Sequence, residues 1–301
     1  MLEVDHVRKE FGSVRAVTDV HFRIGDATTF GLLGPNGAGK TTTMRMILGI
    51  LVPDAGRVSW NGAPIHGESR RHFGYLPEER GIYGKMKVRE QISFFGKLHG
   101  MRDPQLSANV DRWIERLGLG MYEDRPCAEL SKGNQQKVQV ACAAVHSPQL
   151  LVLDEPFSGL DPVNAEMLLA VLNELKNNGT TLILSSHQMW QLEDLCSQFC
   201  IIAGGANRAE GTLAELRSAW PTRVVRVVPE SSSVCHVFES VPGAIELPNT
   251  NGSMDYQVPA STDFAALLRT LVNAAPITKF EALEPSLHEI YLRAIGEASA
   301  A

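Results

Sequence analysis

Three short stretches of the chain hold residues whose types and spacing suit phosphate chemistry. Gly34-Pro35-Asn36-Gly37-Ala38-Gly39-Lys40-Thr41 fits the phosphate-loop pattern at each fixed position. Its glycines let the chain wrap closely, so backbone N–H groups and a helix N-terminus can face phosphate oxygens. Lys40 is expected to reach the β- and γ-phosphates of a nucleotide, and Thr41 to offer its hydroxyl to Mg2+. Thr42, next on the same helix start, is counted among the nucleotide contacts. The second stretch, Leu150-Leu151-Val152-Leu153, is a continuously apolar run that delivers Asp154 and Glu155 to the carboxyl end of a buried strand. Asp154 suits a magnesium ion, and Glu155 is placed to polarise an attacking water as general base. Adjacent carboxylates there need a cation or donors nearby, which weighs against a purely turn-forming role. In the third stretch, Leu130 to Gln136, Ser131 reads as a helix N-cap at a helix start that can also bind phosphate. A phosphate loop by itself leaves kinases, GTPases and many other ATPases open.

The elements that must position these residues alternate. Leu2, Val4 and Val7, then Val17, Val20, Phe22 and Ile24, read as half-buried strands, and Thr29 to Leu33 runs straight into the glycine-rich turn. A helix over Thr41 to Leu48 follows, stopped by Gly49. Residues 86–120 read as mostly helical, carrying Ile92, Phe95 and Leu98, then Val110, Trp113, Ile114 and Leu117; residues 133–146 form another helix. The strand at Leu150, a helix over Asn164 to Lys176, a strand over Thr180 to Ser185, a short helix through Trp190 and a strand over Phe199 to Ala203 continue the alternation. This order predicts an α/β layer fold with a largely parallel sheet and an inserted helical subdomain. After a helix near Leu213 to Ser218, Pro221 marks a boundary. The rest reads as a split βαββαβ pattern with a terminal helix, a small α+β domain over residues 222–301.

With 301 residues, 44% of them hydrophobic, the chain is long enough for one large and one small core. The net charge of −6 argues against nucleic acid as the main partner. Cys127, Cys142, Cys196, Cys200 and Cys235 form neither a disulfide framework nor a zinc pattern, which suits a reducing cytoplasm. No basic-then-apolar leader is visible, and no run approaches the ~20 apolar residues of a membrane-spanning helix.

Leu130-Ser131-Lys132-Gly133-Asn134-Gln135-Gln136 resembles the signature sequence of ABC ATPases, and it precedes the strand that delivers Asp154 and Glu155, as in that family. Ser158-Gly159-Leu160-Asp161 resembles the family's D-loop, His187 its switch histidine, and Phe11 the aromatic that stacks on adenine. The resemblance covers residues 2–218. Lys132 stands where Gly is usual, Asn134 where Gln is usual, and Glu78, after Gly74-Tyr75-Leu76-Pro77, where Gln is usual. These departures resemble a bacterial exporter-type branch, whose loop reads like Pro77-Glu78-Glu79-Arg80-Gly81 and whose small C-terminal domain ends like Glu284-Pro285-Ser286-Leu287. Glu78 can still coordinate Mg2+ but cannot donate through an amide.

The resemblance implies a P-loop NTPase core of the ABC type over residues 1–218, with its helical subdomain at about 80–146. It also implies ATP hydrolysis by a head-to-tail pair of subunits. Lys40, Thr41, Asp154, Glu155 and His187 would act in cis, and Ser131 and Gly133 on the ATP held by the other subunit. A separate integral membrane permease is implied as partner, with the ATPase on the cytoplasmic face of the membrane. The rival from the same family is a soluble ATPase acting on DNA or ribosomes. DNA-repair members carry a long coiled coil before the signature, for which the interval from Lys40 to Ser131 is too short. For the C-terminal domain, dimerisation and ligand-dependent regulation stand side by side.

Overall fold

The computed structural model describes residues 1–65, 67, 69–79, 81–186, 189–230, 234–248 and 253–299, with side chains as far as 296. His187 and Arg80, both singled out above, lie outside the described residues. The chain divides into two compact units, Met1–Thr212 with the residues from Ala294 onward, and Leu213–Arg293.

The first unit opens on an antiparallel pair, β1 (Leu2–Phe11) and β2 (Val14–Ile24). Every apolar residue expected to face inward there, from Leu2 to Ile24, is buried, because one sheet face packs on the core and the other meets water. Then come β3 (Thr29–Leu33), α1 (Lys40–Ile47), β4 (Ala55–Trp60), β5 (Ala63–Pro64) and β6 (Phe73–Leu76). The helices α2 (Val88–Leu98), α3 (Gln105–Arg116) and α4 (Lys132–Ala144) form the inserted block. The alternation resumes with β7 (Leu150–Asp154), α5 (Pro162–Asn177), β8 (Thr181–Ser185), α6 (Met189–Leu195), β9 (Gln198–Ala203) and β10 (Ala206–Gly211). The sheet order is β5-β4-β1-β2-β10-β9-β3-β8-β7-β6, and β9, β3, β8, β7 and β6 run parallel. All five residues of each of β3, β7 and β8 are buried, which is why their sequences are continuous apolar runs rather than alternations.

Four strands were not expected from the sequence: β4, β5, β6 and β10. β10 has no fully buried residue and is held by its backbone ladder to β9, so its side chains carry no apolar period. In the helical block, Val110, Trp113, Ile114 and Leu117 form the expected buried stripe. Leu98 departs from it and is 63% exposed at the end of α2.

The second unit begins with α7 (Leu213–Ser218). It continues β11 (Thr222–Pro229), α8 (Cys235–Glu239), β12 (Ile245–Leu247), β13 (Met254–Pro259), α9 (Phe264–Ala274), β14 (Ile277–Leu283) and α10 (Leu287–Ser299). Its four strands are antiparallel in the order β12-β13-β11-β14, the arrangement of a split βαββαβ module. Val225 and Val227 face a core with Phe238, Tyr256, Val258, Leu267 and Leu271, and the Phe238 and Tyr256 rings stack with centroids 3.8 Å apart.

Candidate active site

The turn between β3 and α1 is shaped by close approaches. A Cβ on Gly34 would lie 2.3 Å from the Ile202 carbonyl, and one on Gly39, whose φ is +100°, 2.6 Å from the Ala16 carbonyl. Neither position admits a side chain. Lys40 Nζ donates to the carbonyls of Gly34 (2.7 Å) and Pro35 (3.1 Å), so it lies along the loop. Burial pushes the Lys40 ammonium below its ordinary pKa, while the carboxylates of Glu155, Asp154 and Glu78 oppose that shift.

The carboxyl end of β7 is fixed by a mesh of hydroxyls. Thr41 Oγ1 donates to Asp154 Oδ2 at 2.9 Å, and Ser185 Oγ donates to Asp154 Oδ1 at 2.5 Å. Glu155 N donates in turn to Ser185 Oγ at 3.1 Å. Glu155 has φ of +53°, the left-handed region that a non-glycine residue enters at a cost of about 1–2 kcal/mol. Strain of this kind concentrates where a side chain must be aimed. The mesh holds Asp154 and Glu155 at the edge of a cleft of about 420 Å3. Its walls are Val14 to Ala16, Asn36 to Thr42, Glu78, Asp154 and Glu155.

The cleft therefore gathers Lys40, Thr41, Thr42, Asp154, Glu155 and Glu78, with Asn36, Gly37, Ala38 and Gly39 beneath them. Phe11 is not among the wall residues; it pairs with Val14 across the β1–β2 hairpin and is 48% exposed. Ser131 and Gly133 are not on the wall either. Ser131 caps α4, its Oγ accepting from the Asn134 backbone N–H at 3.3 Å. A Cβ on Gly133 would sit 3.6 Å from the Gly159 carbonyl, so this helix start borders the D-loop of its own chain.

Two contributors were missed in the sequence. Ser185 ties Asp154 to the Glu155 backbone, yet in the sequence it was only the last polar residue of a strand. Gln136 is buried, and its Nε2 donates to the Pro156 carbonyl at 2.9 Å and to that of Glu155 at 3.5 Å, joining α4 to the turn that carries Glu155. A second, largely apolar groove of about 340 Å3 lies between the core and the helical block, lined by Leu48, Phe73, Leu76, Pro77, Phe95 and Cys142 among others.

Comparison with known proteins agrees with this geometry. The family profile described as ABC transporter matches residues 17–158. A profile for the C-terminal domain of DrrA1-3-like ATP-binding proteins matches residues 211–295. An uncharacterized ABC transporter ATP-binding protein of Bacillus subtilis, YhaQ, is 41% identical over 296 residues, 98% of this chain and 99% of that protein. A Nod factor export ATP-binding protein I of Paraburkholderia xenovorans is 38% identical over 218 residues, 71% of this chain and 72% of that one. A solved ATP-binding subunit of an ABC transporter superposes with a TM-score of 0.68 at 32% identity, over 72% of this chain and 92% of its own. The chain belongs to the ABC transporter family, as an ATP-binding subunit that hydrolyses ATP.

Proposed function

We propose that the cleft at the ends of β3, β7 and β8 is one half of a composite ATP site, and that the hydrolysis it performs drives export through a permease on a separate chain. The carrying observation is a division of labour. Lys40, Thr41, Asp154, Glu155 and Glu78 share one cleft, while Ser131 and Gly133 stand at another helix start outside it.

In this reading Lys40 binds the β- and γ-phosphates of ATP, and the N–H groups of Asn36 to Thr41 cradle them. The oxygens of Thr41, Asp154 and Glu78 are hard donors that fit Mg2+; Thr41 and Asp154 already sit 2.9 Å apart. When bound, Mg2+ neutralises charge on the phosphates. Glu155 orients a water and accepts its proton, and His187 contacts the γ-phosphate. Phe11 stacks on the adenine. Ser131 and Gly133, at the positive end of α4, meet the γ-phosphate held by a second copy of the chain. Closure of the pair then depends on the γ-phosphate, and hydrolysis removes the contact.

The apolar groove between core and helical block suits a helix of a membrane partner, and Pro77 on its wall is next to Glu78 of the cleft. No described helix is long and apolar enough to cross a membrane; in this reading another polypeptide supplies the transport path. The relative named for Nod factor export supports the outward direction, and in this reading the ATPase works on the cytoplasmic face of the membrane. The substrate lies in the partner's chemistry.

The test is Glu155→Gln. This variant should retain ATP binding, hydrolyse at least about 100-fold more slowly, and accumulate as a pair on size-exclusion chromatography when ATP is present. Wild-type hydrolysis by this variant would remove the general-base role.

A further inference from the structure

Away from the ATP cleft, three ligand-type side chains converge on the outer face of the β1–β2 hairpin. We propose that His6, Asp19 and His21 form a binding site for a divalent transition-metal ion of the Zn2+ class. One donor atom from each of the three lies within 4.8 Å of the others. Donors around a tetrahedral Zn2+ stand about 3.4 Å apart, given bonds of about 2.0–2.2 Å, so small side-chain rotations close the set. The donors are two imidazoles and one carboxylate, a set that favours Zn2+, Ni2+ or Cu2+ over Mg2+ or Ca2+.

The backbone builds this convergence deliberately. Val4 pairs with Phe22 and Val7 with Val20, so two residues of β1, Asp5 and His6, stand opposite the single His21. This is a β-bulge, a device that re-aims a side chain, and His6 takes φ of +48° within it. Space for the bulge comes from Gly56 on β4, where a Cβ would lie 2.3 Å from the His6 carbonyl. As a result the His6 and His21 rings stack on the same face, with centroids 4.5 Å apart and an interplanar angle of 28°.

Each ligand is anchored from a different direction. Asp19 N donates to the Gly205 carbonyl at 3.1 Å. His21 is clamped by Asn207, which accepts from its N–H at 3.4 Å and donates to its carbonyl at 2.5 Å. Positions fixed in this way keep ligands near their binding geometry before the ion arrives.

An ordinary ion pair does not account for the arrangement. His6 Nδ1 contacts Asp19 Oδ1 at 2.8 Å, which satisfies those two side chains. His21 Nδ1, however, is buried with no hydrogen-bond partner among the described residues. An imidazole nitrogen shielded from water and left unpaired costs stability, and coordination of a metal ion would supply the partner that the ion pair leaves out.

The test is titration of the nucleotide-free full chain with Co2+, followed by visible absorption, then displacement with Zn2+. One cobalt per chain should bind, with d–d bands and no thiolate charge-transfer band. His6→Asn keeps a residue that tolerates the left-handed backbone, and His21→Gln keeps a polar side chain of similar length. Each should weaken binding by more than about 100-fold. Asp154→Ala should leave cobalt uptake unchanged, separating this site from the ATP cleft. The proposal is overturned by no uptake in the wild-type chain, by a thiolate band, or by uptake that persists when His6→Asn and His21→Gln are combined in a chain whose circular dichroism is native.

Discussion

In the first unit, β3, β7 and β8 run parallel, so their carboxyl ends bring the phosphate loop, Asp154 with Glu155, and Ser185 to one edge of the sheet. In the second unit every strand pair is antiparallel, so successive strand ends alternate between opposite edges. Its charged groups close on neighbours across the ladder instead. Arg226, next to β13, holds Asp255 through Nη2 at 2.7 Å and Nε at 3.0 Å, and nothing comparable to the Lys40 cluster forms among the described residues. Helices layered on a sheet therefore give a reaction site in one case and a packed module in the other. The direction of the strands makes the difference.

The largest way to break that contrast is in the cleft. Lys40→Ala should lower steady-state ATP hydrolysis by about 10^2–10^4-fold, the scale on which positioned charge and proton-transfer groups act. Unfolding of the second unit should be unchanged, which differential scanning calorimetry can check. Conversely, Leu271→Ala, in the second core, should destabilise that unit by about 2–5 kcal/mol and leave ATP affinity of the full chain unaltered.

A smaller effect comes from acid. His146 stacks on His99 with ring centroids 3.6 Å apart and donates through Nε2 to the Phe73 carbonyl at 3.1 Å. Burial pushes the His146 pKa down from 6.5 to about 4, with the neighbouring His99 adding to the shift. The folded chain keeps this ring neutral while the unfolded chain takes up a proton. Stability is therefore intact above pH about 6.5 and is lost as pH falls towards 4, at about 1.4 kcal/mol per pH unit. His146→Gln should flatten that acid limb in urea-unfolding curves measured across the same window.

Two matched caps give the finest comparison. Asp161 caps α5 by accepting from Asn164 N at 2.9 Å, and Asp263 caps α9 by accepting from Ala265 N and Ala266 N at 3.0 Å. Either residue changed to Ala should cost about 1 kcal/mol of local stability. Only the Asp161 change, within the segment that resembles the D-loop, should also slow ATP turnover.

The phosphate loop and the Leu150–Asp154 strand were legible because each encodes its own structure: glycines where no Cβ fits, and unbroken apolar residues where both faces are covered. The second unit was legible through the order of its elements after Pro221, which reads as a split βαββαβ pattern with a terminal helix. β10 was not, because backbone pairing rather than side-chain burial holds it. Ser185 and Gln136 were missed as parts of the cleft for a related reason. Each acts through hydrogen bonds to groups 19–31 positions away in the chain, and no local pattern marks such bonds. The His6 bulge escaped likewise, since it depends on Gly56 in another strand.

The most direct test of the composite site is to mix two inactive chains. Lys40→Ala disables the cleft, and Gly133→Asp sets a carboxylate at the helix start where the γ-phosphate of the other subunit would dock, while an acidic residue there still suits the helix. In a mixed pair, one cleft keeps its own Lys40 and faces the unaltered Gly133 of its partner, so mixing the two inactive proteins should restore ATP hydrolysis. If the mixture stays as inactive as its components while mixed pairs demonstrably form, the signature does not act across the pair and the composite site is wrong.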